Sequence, residues 1–377
     1  MKNRLLSIDV MRGMTIFFMI IVNTPGTWNH VYAPLRHAKW HGCTPTDLVF
    51  PFFLFIVGVS MAMSFSKMLG SSSLTKERGR LTAKILRRTT LIFLVGLFLN
   101  WFPFYHKHIS DLRILGVLQR IALAYGGAAL LIVFIRDKKV LGVVAGLILL
   151  AYWGLMYLFG VDGSPYSLEG NLATWLDPKI LGEAHVYGGF GIPFDPEGLV
   201  STIPGIAHVL IGYFVGLQIL TLKKDQDQRL AEPNQLLSLI GIGAALTIGG
   251  LVWNYGFPIN KPLWTSSYVL FTCGLGTLFL TLLVWLIDHR QWTAWSYPFR
   301  AFGLNPLVSY ALSGLFVNLM LVTLNWNDTN AYAWLYESVF QPTFGNLNGS
   351  LAFAICYTLF ILLFAVVLYR RNVVIKL

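Results

Sequence analysis

Charged residues are scarce in this chain of 377 residues, where Lys, Arg, Asp and Glu together make up 12%. Soluble globular domains carry about 25%, and hydrophobic residues here reach 55%. The shortage of charge therefore excludes a soluble globular protein. Glycine and tryptophan are plentiful, with 35 Gly and 12 Trp, as in membrane proteins whose helices pack closely and whose aromatic rings lie at the water interface. The composition predicts an all-α polytopic membrane protein.

Cysteine is also scarce. Cys43, Cys273 and Cys356 have no metal-ligand or redox spacing and lie too far apart to suggest a disulfide framework. Glycine-rich phosphate loops of the Walker or Rossmann type are absent, which argues against an ATP-driven pump. No small-residue cleavage site follows the apolar N-terminal run, so we expect a retained first helix rather than a signal peptide. Redox chemistry and ATP hydrolysis are therefore not expected.

Apolar runs long enough to cross the hydrocarbon core, about 20 residues each, recur along the chain. They predict one integral-membrane domain over residues 1–377, folded as a transmembrane helical bundle of about ten spans. The spans are expected at residues 5–24, 47–66, 84–102, 112–135, 140–160, 197–222, 235–256, 262–287, 300–323 and 350–369. The longest polar loop has about 35 residues, so no soluble domain is expected.

Lys and Arg fall mainly on one side of this arrangement. Of the 28 basic residues, 21 lie on the side of the N-terminus and seven on the other. Because basic segments stay in the cytoplasm, both termini are predicted to be cytoplasmic, and loops 25–46, 161–196 and 324–349 extracytoplasmic. Topology thus explains the net charge of +11, and the bilayer rather than a nucleic acid is the expected partner.

Three histidines, His30, His37 and His41, lie between the first two spans, with Asn23 and Asp47 at the adjoining helix ends. A histidine can take a proton from an attacking amine or hydroxyl while a carboxylate on the other ring nitrogen fixes its tautomer. The histidine spacings do not match a zinc motif, so no metal is expected. The structural alternatives are interfacial loop histidines and a carboxylate that only caps the second span.

Further polar groups lie in or beside the spans. Arg120, inside the fourth span, must meet a carboxylate, a phosphate or water, which favours a functional role. Asp195 and Glu197 open the sixth span, where helix capping is the simpler explanation. Lys261 and Trp264 are typical of an interfacial belt, and Asn305 of a contact between helices.

Several of these residues belong to motifs that follow one another along the chain. The motifs are LSIDVMRG, RHAKWHGCTPTDLVFPFFLFIVGVSM, GVLQRIALAY, FDPEGLVSTI, NKPLWTSSYVL and GLNPLVSYALSGLF. In this combination and order the chain resembles the heparan-alpha-glucosaminide N-acetyltransferase family, a branch of the transmembrane acyltransferase superfamily. The resemblance extends over nearly the whole chain.

The resemblance implies transfer of an acetyl group from cytosolic acetyl-CoA to the amino group of a terminal glucosamine on the far face of the membrane. It implies that His37 is catalytic, with Asn23 and Asp47 beside it. Substrate-binding roles are expected for the other motif residues Asp195, Glu197, Lys261, Trp264 and Asn305. The chain departs from the family in lacking the large N-terminal luminal region, and in having Ser313 where a histidine is expected. It thereby resembles shorter relatives from the bacterial inner membrane, and a homodimer is compatible with the family.

The expected donor site is a basic cytoplasmic mouth that holds the CoA phosphates while the pantetheine arm reaches inward. The candidate cations are Arg12, Arg87, Arg88, Arg120 and Arg300. His37 is expected to deprotonate the acceptor amine, with a transient acetyl-histidine as the alternative route. Two other functions stay open on the sequence, O-acetylation of an envelope polysaccharide and transport of a sugar.

Overall fold

The computed structural model describes residues 5–69, 74–106, 108–161, 163–221, 233–326 and 329–375. Fourteen α-helices occur within them: α1 (Leu6–Asn23), α2 (Pro45–Leu69), α3 (Leu74–Trp101), α4 (Val117–Phe134), α5 (Lys138–Leu158), α6 (Leu172–Leu181), α7 (Leu199–Thr221), α8 (Pro233–Trp253), α9 (Ser266–Leu283), α10 (Tyr297–Leu304), α11 (Pro306–Asn318), α12 (Ala331–Leu335), α13 (Gln341–Phe344) and α14 (Asn346–Arg370). Turns of π-helix extend α9 to His289 and α11 to Thr323. Two short antiparallel strands, β1 (Asn325–Trp326) and β2 (Thr329–Asn330), pair Asn325 with Asn330.

The helical membrane bundle predicted from the sequence is confirmed. Within the described residues, nine helical stretches are long and apolar enough to cross a membrane, on α1, α2, α4, α5, α7, α8, α9, α11 and α14. The third predicted span, 84–102, falls in α3, which is helical but is not among the nine. This predicted span includes Lys84, Arg87 and Arg88, and charges of this kind are costly in hydrocarbon.

Two predicted spans start or break differently from the expectation. The span predicted at 300–323 is interrupted between α10 and α11, where Asn305 has φ −131°. Pro306 explains the break, because proline lacks an N–H and disfavours helical backbone in the residue before it.

The span predicted at 112–135 becomes helical only at Val117. The preceding backbone bonds elsewhere, with Ile114 N donating to His185 O at 3.0 Å. Residue 222, the predicted end of the sixth span, lies outside the described residues.

Helix α2 is central to the bundle and packs against α1, α4, α7 and α9. Its crossing with α7 is close because glycines meet backbone on both sides. A Cβ on Gly58 would lie 2.0 Å from the carbonyl oxygen of Val209, and one on Gly212 would lie 2.2 Å from that of Phe55. Small residues at such crossings let membrane helices approach closely. The position of α2 therefore depends on two residues without side chains.

Replacing Gly58 with alanine is expected to push α2 and α7 apart and to destabilise the protein by about 1–3 kcal/mol, the usual cost of overpacking. Gly146→Ala on α5 is the matched control, because its Cβ would meet nothing within 4 Å. The thermal unfolding midpoint of each purified variant in detergent measures the effect. Equal midpoints for the two variants would contradict the close crossing.

Candidate active site

Asp47 lies in the first turn of α2, and its side chain is only 1% exposed. Its Oδ2 accepts hydrogen bonds from the backbone N–H and hydroxyl of Thr44, the residue before the helix, and from the backbone N–H of Ala38, at 2.9–3.0 Å. An acidic side chain that reaches back to the residue before the helix is a capping arrangement. Asp47 thus caps α2 as anticipated, and its other oxygen is left for a second partner.

That partner is His37. Its Nδ1 lies 2.6 Å from Asp47 Oδ1, and 44% of its side chain is exposed. A carboxylate oxygen can only accept, so the hydrogen resides on Nδ1 and the neutral imidazole keeps its lone pair on Nε2. The buried carboxylate fixes the tautomer and orientation of an exposed ring. The pair has the elements of a general base oriented by an acid.

Lys261 completes this group, which we call the His37 cluster (His37, Asp47 and Lys261). Its Nζ lies 3.1 Å from His37 Nδ1 and 3.4 Å from Asp47 Oδ1. Burial lowers the pKa of Lys261, although the negative charges of Asp47 and Glu197 act to raise it. The sequence assigned Lys261 to substrate binding, and the structure places it in direct contact with the histidine.

The loop that carries Lys261, between α8 and α9, is fixed by Asn260 and Trp264. The Asn260 side chain is fully buried, donates to Trp40 O at 3.0 Å and accepts from Leu263 N at 2.8 Å. Trp264 is 1% exposed and has a positive φ of 52°, an uncommon backbone conformation for a bulky residue. Trp264 is therefore part of the packed interior beneath the cluster.

Arg120 is also interior. Its guanidinium lies over the Trp264 ring, 4.9 Å from the centroid, and donates to Pro196 O at 2.8 Å and to the hydroxyl of Ser201. No part of Arg120 is exposed. The sequence expected this arginine to hold the donor phosphates, but here the chain around residues 196–201 and an aromatic ring surround it. The buried guanidinium ties α4 to the start of α7.

Arg113, which sequence reasoning did not single out, binds both acidic residues of the FDPEG segment. Its Nε and Nη2 lie 2.9 and 2.6 Å from the two oxygens of Asp195, and Nη2 is 2.6 Å from Glu197 Oε2. Burial alone would lower the pKa of Arg113, but the hydrogen bonds to Asp195 and the charge of Glu197 raise it. Asp195 is fully buried and Glu197 is 14% exposed. Asp195 and Glu197, which were predicted to bind substrate, thus both form ion pairs with Arg113.

A cavity of about 380 Å³ lies at the other end of α2. Arg12 and Arg88 line it, and we call it the Arg12 cavity. Arg12 donates to Ser60 Oγ at 2.7 Å and Gly303 O at 3.2 Å, and pairs with Asp9 at 3.3 Å. The Arg12 cavity is otherwise lined by Phe53, Val57, Ser60, Met61, Ser64, Phe65, Ile92, Ile121, Tyr125, Leu304, Asn305, Pro306, Leu307, Val308, Val374 and Ile375. Arginines beside an apolar wall suit an anionic ligand with an apolar arm.

Five arginines were predicted to bind the donor, and only Arg12 and Arg88 line this cavity. Arg88 lies over the Tyr125 ring, 4.8 Å from its centroid. Arg87 is exposed on α3, and Arg300 lies over Tyr297 at 5.9 Å. The cavity thus contains two of the predicted cations, and its use as the donor site stays a prediction.

Helix α2 connects the two sites. Asp47 and Ser60 are 13 residues apart on it, which corresponds to about 20 Å at about 1.5 Å per residue. Asn305 belongs to the Arg12 cavity and not to the His37 cluster, because its side chain bonds the backbone of Val373 and Ile375 at 2.8 Å. The residues predicted for the acceptor therefore divide between two ends of the bundle.

Asn23, His30 and His41, the other polar residues singled out near the α1–α2 loop, have no hydrogen bond to the cluster among the described residues. Asn23 is exposed at the end of α1, and no hydrogen bond in the described part of the chain joins it to His37 or Asp47. His30 lines a separate small cavity against α14, and His41 Nδ1 lies 3.4 Å from Asn260 Nδ2. His37 is thus distinguished from the other two histidines by its carboxylate.

Within the described residues, the His37 cluster has neither a metal-binding group nor a reactive thiol beside it. Among the described residues, no group of three or more His, Cys, Asp or Glu side chains is placed to hold a metal ion. Cys43 lies close to the cluster, but burial, with the charge of Asp47, raises its pKa to about 12. The thiol stays protonated at neutral pH, which argues against Cys43 as a nucleophile.

Comparison with known proteins agrees with the sequence motifs. Residues 4–248 match the family model described as heparan-alpha-glucosaminide N-acetyltransferase, catalytic. The chain belongs to this family. The match includes His37 and Asp47 and ends before Lys261.

Two curated relatives carry the name heparan-alpha-glucosaminide N-acetyltransferase. The protein from Homo sapiens is 28% identical over 371 residues, which cover 84% of this chain and 53% of the relative. The one from Mus musculus is 29% identical over 369 residues, covering 82% of this chain and 53% of the relative. The chain therefore spans about half the length of the curated relatives it matches. With its apolar helices, it is an integral membrane member of an acetyltransferase family.

The pH dependence of stability is expected to reflect Asp177, on α6. Its Oδ1 accepts from Val200 N at 3.2 Å, and burial raises its pKa to about 6. The fold therefore favours the neutral carboxyl, and this contribution to stability is lost as the pH rises through about 6. Asp177→Asn should flatten the change in unfolding midpoint between about pH 5 and pH 7.5. Glu169→Gln, at an exposed position, should leave this pH dependence of the unfolding midpoint unaltered. An unchanged pH dependence in Asp177→Asn would contradict the role of Asp177.

Proposed function

We propose that this chain is a transmembrane N-acetyltransferase. It takes the acetyl group from acetyl-CoA bound in the Arg12 cavity and delivers it to the amino group of glucosamine or a glucosaminide at the His37 cluster. The observation that carries the proposal is the contact between exposed His37 and buried Asp47, at the opposite end of α2 from a basic cavity. Membership of the N-acetyltransferase family supports the reaction class.

The donor end suits a nucleotide thioester. Arg12 and Arg88 supply positive charge for phosphates, and the apolar lining continues along α2 through Val57 and Phe53 towards the cluster. Phosphates remain at the water interface because carrying them into hydrocarbon would be costly. The thin pantetheine arm follows the apolar lining, so the thioester alone approaches His37.

At the acceptor end, the amine of the sugar attacks the carbonyl carbon of the thioester. His37 Nε2 accepts the proton that the amine loses, the carbon–sulfur bond breaks, and the imidazolium gives the proton to the sulfur, so that CoA leaves as the thiol. The Asp47 carboxylate stabilises the imidazolium formed on the way. In the covalent route the same Nε2 would carry the acetyl group before the amine attacks.

The membrane orientation follows from charge. The Arg12 end has the basic flanking segments, which favours a cytoplasmic position, and the His37 end is then extracytoplasmic. This corresponds to a chain in the bacterial cytoplasmic membrane, with acetyl-CoA from the cytosol and an acceptor on the far side. A homodimer stays a prediction.

Replacing His37 with alanine is expected to lower the release of free thiol from acetyl-CoA in the presence of glucosamine by about a hundred- to ten-thousand-fold, the usual contribution of a general base. His30→Ala is the matched control, because His30 lies in the same loop without a carboxylate partner among the described residues. The assay uses purified protein in liposomes.

Two results would contradict the proposal: no thiol release by the unsubstituted protein, or equal release by the His37→Ala and His30→Ala variants. Glucose in place of glucosamine tests the group acetylated, because it offers hydroxyls and no amine. Equal thiol release with both sugars would favour O-acetylation. Labelled acetyl trapped on His37 in a single turnover would decide for the covalent route.

A further inference from the structure

The segment after α14 lies against the Arg12 cavity. Residues 372–375, which we call the strap, begin with a turn at Asn372, whose φ is 52°. Val374 and Ile375 of the strap line the same cavity as Arg12 and Arg88. Their side chains add apolar surface on a wall that otherwise comes from helices α1, α2, α3, α4, α10 and α11 and from the break at Asn305. Part of the cavity wall is therefore a short segment without regular secondary structure.

One side chain holds the strap. Asn305 Nδ2 donates to Val373 O at 2.8 Å, and Asn305 Oδ1 accepts from Ile375 N at 2.8 Å. The amide thus pairs with alternate backbone groups, as a neighbouring strand would. Asn305 is 2% exposed and lies at the break between α10 and α11, where Leu304 and Val308 also line the cavity.

The strap has few other attachments among the described residues. Its remaining backbone bonds run from Asn372 N to Tyr369 O at 3.1 Å and from Val373 N to Leu368 O at 3.0 Å, and they fix the turn rather than the cavity wall. Val373, Val374 and Ile375 are 40–48% exposed. A segment with little buried surface and few hydrogen bonds opens at low free-energy cost. Its closed position therefore depends strongly on the two bonds from Asn305.

We infer that Asn305 is a positioning residue that holds the strap closed, and that the closed strap forms a wall of the donor site and increases its affinity for acetyl-CoA. The inference rests on the proposed function, because it assigns the cavity to the donor. The apolar faces of Val374 and Ile375 contact the pantetheine arm, while the arginines hold the phosphates. Opening the strap removes that contact and exposes the arm to water.

Asn305→Leu keeps the size of the side chain and removes both bonds to the strap. Asn318→Leu is the matched control, since Asn318 ends the helix that Asn305 precedes and donates its side-chain amide to Leu99 O and Phe102 O at 3.3 and 3.1 Å, away from the cavity. Loss of two hydrogen bonds shifts the strap towards the open form, so the KM for acetyl-CoA should rise about tenfold in Asn305→Leu. The KM for glucosamine should be unchanged, and Asn318→Leu should alter neither value.

Amide hydrogen exchange of the peptide containing residues 372–375 gives a readout independent of turnover. It should be faster in Asn305→Leu than in the unsubstituted protein and in Asn318→Leu. Unchanged exchange would overturn the role of Asn305. Faster exchange with an unchanged KM for acetyl-CoA would overturn the role of the strap at the donor site. Absence of any acetyl-CoA turnover by the unsubstituted protein would instead overturn the proposed function, and the donor role of the strap with it.

Discussion

The carboxylate of Asp47 is buried at the start of a membrane-spanning helix, where a charge is tolerated only when it is well paired. Five groups meet it, three on Oδ2 from Ala38 and Thr44, and His37 and Lys261 on Oδ1. These contacts join the α1–α2 loop, the beginning of α2 and the loop before α9. The geometry of the exposed imidazole therefore follows from the need to compensate one buried charge.

The same helix also connects the two sites of the proposed reaction. In that reaction an acyl group crosses from one face of the bundle to the other, because neither a nucleotide nor a sugar enters hydrocarbon readily. Helix α2 has Asp47 near one end and the Arg12 cavity near the other, and it crosses α7 closely between them. In the proposed reaction, each polar substrate stays on its own side and only a small acyl group passes between them.

The parts of this arrangement that depend on nearby residues were the ones predictable from sequence. His37 and Asp47 are ten residues apart and belong to one motif. The break after α10 was not predicted, although Pro306 is a local signal for it. Lys261 meets His37 across 224 residues, and Arg113 meets Asp195 across 82. Such pairings depend on how the helices pack, which a single sequence does not specify. Buried Arg120 required partners, and carbonyl and hydroxyl groups near residue 196 supply them to its Nη2, whereas its Nε and Nη1 have no hydrogen-bond partner among the described residues.

The most direct measurement of the central claim is acetyl transfer in liposomes with the protein in one known orientation. Acetyl-CoA is supplied only on the side of the Arg12 cavity, and glucosamine only on the side of His37. The account predicts N-acetylglucosamine on the His37 side and free CoA on the Arg12 side, both dependent on His37. Product formed only when donor and acceptor share one side of the membrane would contradict it.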